Sequence, residues 1–397
     1  MKQRHTVHGI SRAALWVFTF SLNLALSHFH IPTRYNCVYT GRDIVESLTY
    51  LSLEAEYAEG GLDALRKRLR RRGRPGKVPS SDTFLYRLKK LARRDALGML
   101  QEMNTEVLAR AKVKGAFRRK AVAAVDLTFI PYYGWFSRHV VQGRYKLGTN
   151  QFHCYAAFRL VEMGRRYVVK SRLVTQLELS EKPRIVEELV AEARRRGVRI
   201  RLLLLDKGFY SGDVIKKLKS MGVKFLIAVP RNSRVKKEIM DYYRSGEGQV
   251  RRFALEKDMD RVDFNLTVHR LRRSKKGLRN ILELYGAFAT NLSPGKALEA
   301  WRRIPEEYRR RWGVETGFRV GKGFRAKTTS TDEEVREIYH QYAVVLENLW
   351  TLHNMGEAKR RGLPLDGMRR PLVKVKEFSL DFSHFLLSAY GPGPPWG

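Results

Sequence analysis

The chain has 397 residues, enough for two or three domains, each with its own core. Its 77 lysines and arginines against 40 acids give a formal charge of +37, which repels itself and calls for a polyanionic partner. Nucleic acid fits better than an anionic membrane, because the cations spread through all regions instead of lining one amphipathic helix. The two cysteines, Cys37 and Cys154, make neither a disulfide framework nor a zinc site, which suits a reducing cytoplasm. Among the histidines the closest approach to ligand spacing is His28-x-His30, and it reads as a loop or helix end.

The amino terminus imitates a secretion signal, with Lys2 and Arg4 ahead of an apolar run from Ala13 to Ser27. However, Leu15, Phe18, Leu22, Ala25 and Phe29 follow the spacing of a packed amphipathic helix. Asn23 interrupts the run and no small-x-small cleavage site follows. No other stretch is apolar enough to span a membrane, so the sequence predicts a soluble, cytoplasmic, nucleoid-associated chain.

Residues 1–118 read as helical, with clear patterns over 42–56, 62–72 and 82–92. A turn cluster, Gly73-Arg-Pro75-Gly76-Lys-Val-Pro79, separates the last two, and Ser80-Ser81 offers an N-cap. Between Ala64 and Lys120 there are 19 basic and 4 acidic residues. Helix, short turn and capped basic helix fit a helix-turn-helix-like DNA-binding region or a generic basic bundle.

At Ala121 the period changes. Residues 121–133, 152–162 and 167–176 read as three strands of an antiparallel meander. A helix follows, capped by Ser180, with Pro183 in its first turn, Ile185, Val186, Leu189 and Val190 on one face, and Gly197 at its end. A buried strand over 200–205, a helix over 213–221 and a strand over 224–229 complete the series. Strand-helix-strand units imply parallel pairing. The expected class is α/β, a ribonuclease-H-like core of mixed sheet flanked by helices. The basic stretch 231–285 reads as a β-rich insertion, with strand-like runs over 249–255 and 263–271 and another over 281–291. The divisions are 1–118, 119–230, 231–285, 286–390 and a flexible tail, 391–397. A long striped helix spans 333–353.

Two carboxylates stand out. Asp126 interrupts the apolar strand Ala121-Val-Ala-Ala-Val-Asp126, where burial is costly unless it is paired or binds metal. Asp206 ends Leu202-Leu-Leu-Leu-Asp206, at the carboxyl end of a buried strand, where open α/β sheets place ligands. A third, Glu315, lies in Tyr308-Arg-Arg-Arg311-Trp-Gly-Val-Glu315-Thr-Gly-Phe-Arg319-Val-Gly-Lys322. On a continuous helix Tyr308, Arg311, Glu315 and Lys322 share a face about 60° wide, suited to gripping a phosphodiester beside a metal. The same spacing also permits a solvated helix in which Glu315 pairs with Arg311 and Arg319. Gly313, Gly317 and Gly321 fall on the opposite face, where they permit close packing.

Tyr-x2-Arg-x3-Glu-x6-Lys, together with Asp126-x-Thr128 after a small-apolar strand and Asp206-x-Gly208-Phe before a helix, resembles the insertion-sequence transposases of the DDE class. The resemblance covers roughly 121–353. It implies that Asp126, Asp206 and Glu315 are catalytic and hold Mg2+ or Mn2+, two ions, and that Tyr308, Arg311 and Lys322 bind phosphates beside the cut, with Arg319 added from the same segment. It also implies double-stranded DNA partners (the element's terminal inverted repeats and the target) and a homodimer in the DNA complex. Cleavage at element ends would precede joining of the 3′-hydroxyl to target DNA. Two rivals share the fold: a structure-selective metal-dependent nuclease, and a catalytically silent DNA-binding protein of transposase descent. One departure concerns residues 231–290, which lack the tryptophan that some relatives use for stacking a terminal base; Phe253, Phe264 or Tyr285 could substitute.

Overall fold

The computed structural model describes residues 10–31, 36–73, 77–92, 95–247, 249–257, 260–271, 280–293, 308, 319–365, 368 and 370–389. Arg311, Glu315, Gly313, Gly317, residues 74–76 of the Gly73–Pro79 turn cluster and the tail from 391 onward lie outside them.

Five helices come first: α1 (Arg12–His28), α2 (Gly41–Glu54), α3 (Ala58–Arg71), α4 (Ser81–Ala92) and α5 (Ala96–Val113). Their starts follow local chemistry. Thr40 and Asp43 form a capping box on α2, and Ser80 accepts from the Thr83 amide ahead of α4. Arg66 of α3 donates to the carbonyls of Val78 and Pro79, tying the α3–α4 connection back onto the helix before it.

The sheet contains β1 (Ala121–Pro131), β2 (Val141–Lys146), β3 (Thr149–Leu160), β4 (Val168–Val174), β5 (Ile200–Leu205), β6 (Phe225–Ala228), β7 (Val250–Lys257), β8 (Asp260–Arg270) and β9 (Tyr285–Thr290). Its order is β2-β3-β1-β5-β6-β9-β8-β7, with β4 also paired to β3. β1, β5 and β6 run parallel, and β3 is antiparallel to β1, β2 and β4. The run β4-β3-β1-β5-β6 is the ribonuclease-H-like core expected from the element order. The expected meander gains a strand, because β2 and β3 form a hairpin whose first strand is mostly exposed and polar and so leaves no apolar alternation to read.

Crossovers between the parallel strands are helical: α6 (Gln176–Ser180) and α7 (Lys182–Arg195), then α8 (Gly212–Ser220). Ser180 does not cap α7. Its hydroxyl donates to the Leu177 carbonyl within α6, and the capping box belongs to Thr175 and Glu178 one turn earlier. The stretch expected to be β-rich opens with a helix, α9 (Ser233–Ser245), capped by Asn232 and burying only Val235 and Ile239. Two buried apolar positions in so basic a segment left too faint a stripe to read. The strands that follow do not form a separate body: β9, β8 and β7 extend the central sheet antiparallel beyond β6.

α10 (Glu333–Arg360) runs on seven residues past its expected end and is buried nearly all round, packing against α5, α1, α4 and β4. α11 (Val375–Ala389) packs on α2 and α1. Helices α1 to α5 therefore share one continuous apolar core with the sheet layer.

Candidate active site

Register places the two aspartates side by side. β1 and β5 pair in parallel up to Val125 opposite Leu205, so the next residues are Asp126, within β1, and Asp206, in extended backbone just past the end of β5. Side chains alternate between the faces of a strand, so both carboxylates point to the face that carries Val122, Ala124, Leu202 and Leu204. Both are partly buried and line a cleft of ≈ 300 Å³ at the carboxyl end of the sheet, with Leu127, Phe129, Leu179, Lys182, Gly208 and Phe209. The Asp126 carboxylate accepts from the Leu127 amide at 2.8 Å. Across β1, Cys154 sits opposite Phe129; burial pushes its thiol up to about 12, which leaves it an inert packing group.

The same face receives the segment from Tyr308 to Lys322 at both of its described ends. Tyr308 donates to the Leu205 carbonyl at 3.3 Å, one residue before Asp206, and its ring packs on Phe288 at 4.7 Å between centroids. At the other end residues 319–323 are helical. Gly321 there lies against the buried ion pair of Arg159 and Glu347, and a β-carbon on it would meet Glu347 Oε2 at 3.1 Å. Arg159 stands opposite Ala124 on β3, hence on the carboxylate face as well. Arg319 and Lys322 are exposed. The chain thus enters beside Asp206 and leaves beside the Arg159–Glu347 pair, while Arg311 and Glu315 fall outside the described residues. Among the described residues no group of three metal-ligating side chains occurs.

Lys182 escaped the sequence reading. Its ammonium donates to the Gly208 carbonyl at 2.7 Å and holds the turn after Asp206. A signal existed, since a lysine in the first turn of α7 opposes the helix dipole and needs another partner. The aromatic substitutes named for base stacking fail. Phe253, Phe264 and Tyr285 are buried in the β7–β9 region, and Phe253 packs on Phe264 at 5.7 Å.

The donor chemistry suits a hard divalent cation, because two carboxylates converge at a strand-end cleft without thiolate or imidazole neighbours among its lining residues. No helix among the described residues is long and apolar enough to cross a membrane.

The transposase DDE domain model matches residues 118–339. No curated protein matches the chain. Among solved structures, the piggyBac transposase synaptic complex with hairpin DNA is similar in fold, with a TM-score of 0.55 and 10% identity, covering 95% of this chain and 80% of that one. A family match across more than half the length agrees with the strand order and with the paired aspartates, and this chain belongs to the transposases that carry a DDE domain.

Proposed function

We propose that the chain is the transposase of an insertion sequence, cleaving DNA at the element's ends and joining the freed 3′-hydroxyl to target DNA. The observation that carries this reading is the convergence on one sheet face: Asp126 and Asp206 adjacent, with the segment holding Glu315 anchored there at both described ends. Asp126, Asp206 and Glu315 would hold Mg2+ or Mn2+, which when bound activates an attacking oxygen and offsets charge on a leaving one. The chain's own groups would position the DNA. Tyr308 fixes the backbone before Asp206, and Lys182 fixes the turn after it. Arg311 would grip a phosphate as a bidentate fork, and Arg319 and Lys322 would add charge beside it. The basic α3–α4 pair supports a DNA-binding role for the amino-terminal helices. A homodimer in the DNA complex is part of the same proposal.

A strand-transfer assay tests it. Oligonucleotide duplexes carrying the inverted repeats that flank the gene are incubated with the full chain, Mg2+ and supercoiled plasmid. Joined product supports a transposase. Cutting without joining would indicate a structure-selective nuclease, and binding without cutting a silent DNA-binding protein.

A further inference from the structure

Beyond the carboxylate cleft, β1 leads into an exposed aromatic cluster. Trp135 is 90% exposed, Tyr145 72%, Leu147 68%, Tyr133 64% and Phe136 56%. They come from the β1–β2 loop and the tip of the β2–β3 hairpin. Large apolar side chains gathered in solvent mark a contact surface, because singly they are common but together they cost hydration that nothing in the fold offsets.

The cluster stands on a fixed base. Tyr132 donates to the Thr331 carbonyl and stacks on His153 at 4.6 Å between centroids, while Ser137 and His139 both reach Glu333 at the start of α10. Tyr133 donates to the Leu147 carbonyl at 2.7 Å and so ties loop to hairpin. The hairpin turn has φ of 55° at Leu147 and 81° at Gly148. The left-handed form suits glycine, yet leucine occupies the first position and directs an apolar side chain outward. A rigid base, a strained turn and exposed rings together describe a preorganised platform.

Its surroundings select the occupant. Residues 131–150 contain no acid, and Arg138, Arg144 and Lys146 are exposed on the same loop and hairpin. A second copy of a chain carrying +37 would be repelled here. A polyanion with flat aromatic faces fits both features. Phe129, which lines the cleft, lies on β1 between Asp126 and the loop, and Pro131 ends the strand about 17 Å beyond Asp126. We infer that Trp135, Phe136 and Tyr145 stack the unpaired bases of a DNA strand leaving the cleft, with Arg138, Arg144 and Lys146 on its phosphates. The inference rests on the proposed action on DNA.

The test uses the full chain without Mg2+ and two fluorescein-labelled duplexes of the same sequence, one blunt and one with a short single-stranded extension containing 2-aminopurine. Wild type should bind the extended duplex more tightly and quench the 2-aminopurine by stacking. Trp135→Ala with Phe136→Ala should weaken binding of the extended duplex about tenfold, abolish the quench, and leave blunt-duplex affinity within about twofold. Trp135→Phe should retain most of the preference. Equal wild-type affinity for both duplexes, or equal loss on both in the variant, would overturn the inference. So would a dimer of the free protein that dissociates in the variant, which would make the rings an interface between copies. Because no cleavage is read, failure here leaves the strand-transfer result untouched, and failure of strand transfer leaves this result interpretable.

Discussion

Beneath α7 and α8 the central sheet presents apolar side chains, Ala123, Val125, Leu203, Leu205 and Phe158, to Ile185, Leu189, Val214 and Leu218. The opposite face, under α10, buries polarity instead. Arg159 pairs with Glu347 at 2.6 Å, Tyr155 stacks on His340, His340 meets Ser171 at 3.0 Å, and Asn348 bonds both Asn104 and the Val168 backbone. Apolar packing tolerates small slips, whereas buried charges and amides are stable only in one register. The face that carries Asp126 and Asp206 is thus the one whose register is held by directional bonds. The greasy face supplies stability and the polar face supplies position.

The largest effect should come from the carboxylates. Asp126→Ala, Asp206→Ala and Glu315→Ala should each cut Mg2+-dependent cleavage on the order of 10³-fold or more, while duplex binding stays near wild type because dispersed cations carry it. Gel assays of nicking and binding on one substrate read both. Phe158→Ala on the greasy face should cost about 3–5 kcal/mol in urea unfolding. Its folded fraction should cleave at the wild-type rate. Arg159→Ala should lower stability by a similar amount, about 3–5 kcal/mol, by stranding Glu347 in the interior. Here the faces separate: the pair Arg159→Met with Glu347→Leu should recover stability but not cleavage, since Gly321 has lost the polar surface it rests on. Full recovery of both would reduce that ion pair to packing.

The smallest effect is a pH dependence. Burial pushes Glu337 on α10 up to about 7, with Glu333 and Glu334 adding to the rise and Gln341 and Lys170 opposing it. The folded state therefore holds its proton more tightly than the unfolded chain. That contribution is full below about pH 4.5 and is lost as pH rises through about 7. Glu337→Gln should flatten the stability profile across this window by about 1–3 kcal/mol, read from thermal melts at successive pH values. An unchanged slope would show that Glu337 is solvated.

Much of this was legible in the sequence because it rests on local patterns. Asp126 interrupted one apolar strand and Asp206 closed another, and the strand-helix alternation around them implied parallel pairing. What stayed hidden depends on context. β2 buries only Val141 along its length, so no alternation marked it. α9 was masked by its cations. The polar face was invisible because Arg159, Glu347, His340 and Asn348 acquire partners only when β3, β4 and α10 meet. The exposed Trp135 looked like any aromatic until its surroundings were known.

Asp126, Asp206 and Glu315 are proposed to form one metal site. Mn2+ titration of the full chain bound to duplex DNA, followed by electron paramagnetic resonance, tests it most directly. Wild type should show tight Mn2+ binding, and Asp126→Asn, Asp206→Asn and Glu315→Gln should each weaken it at least about tenfold while still binding the DNA. Wild-type Mn2+ affinity in all three variants would contradict the site.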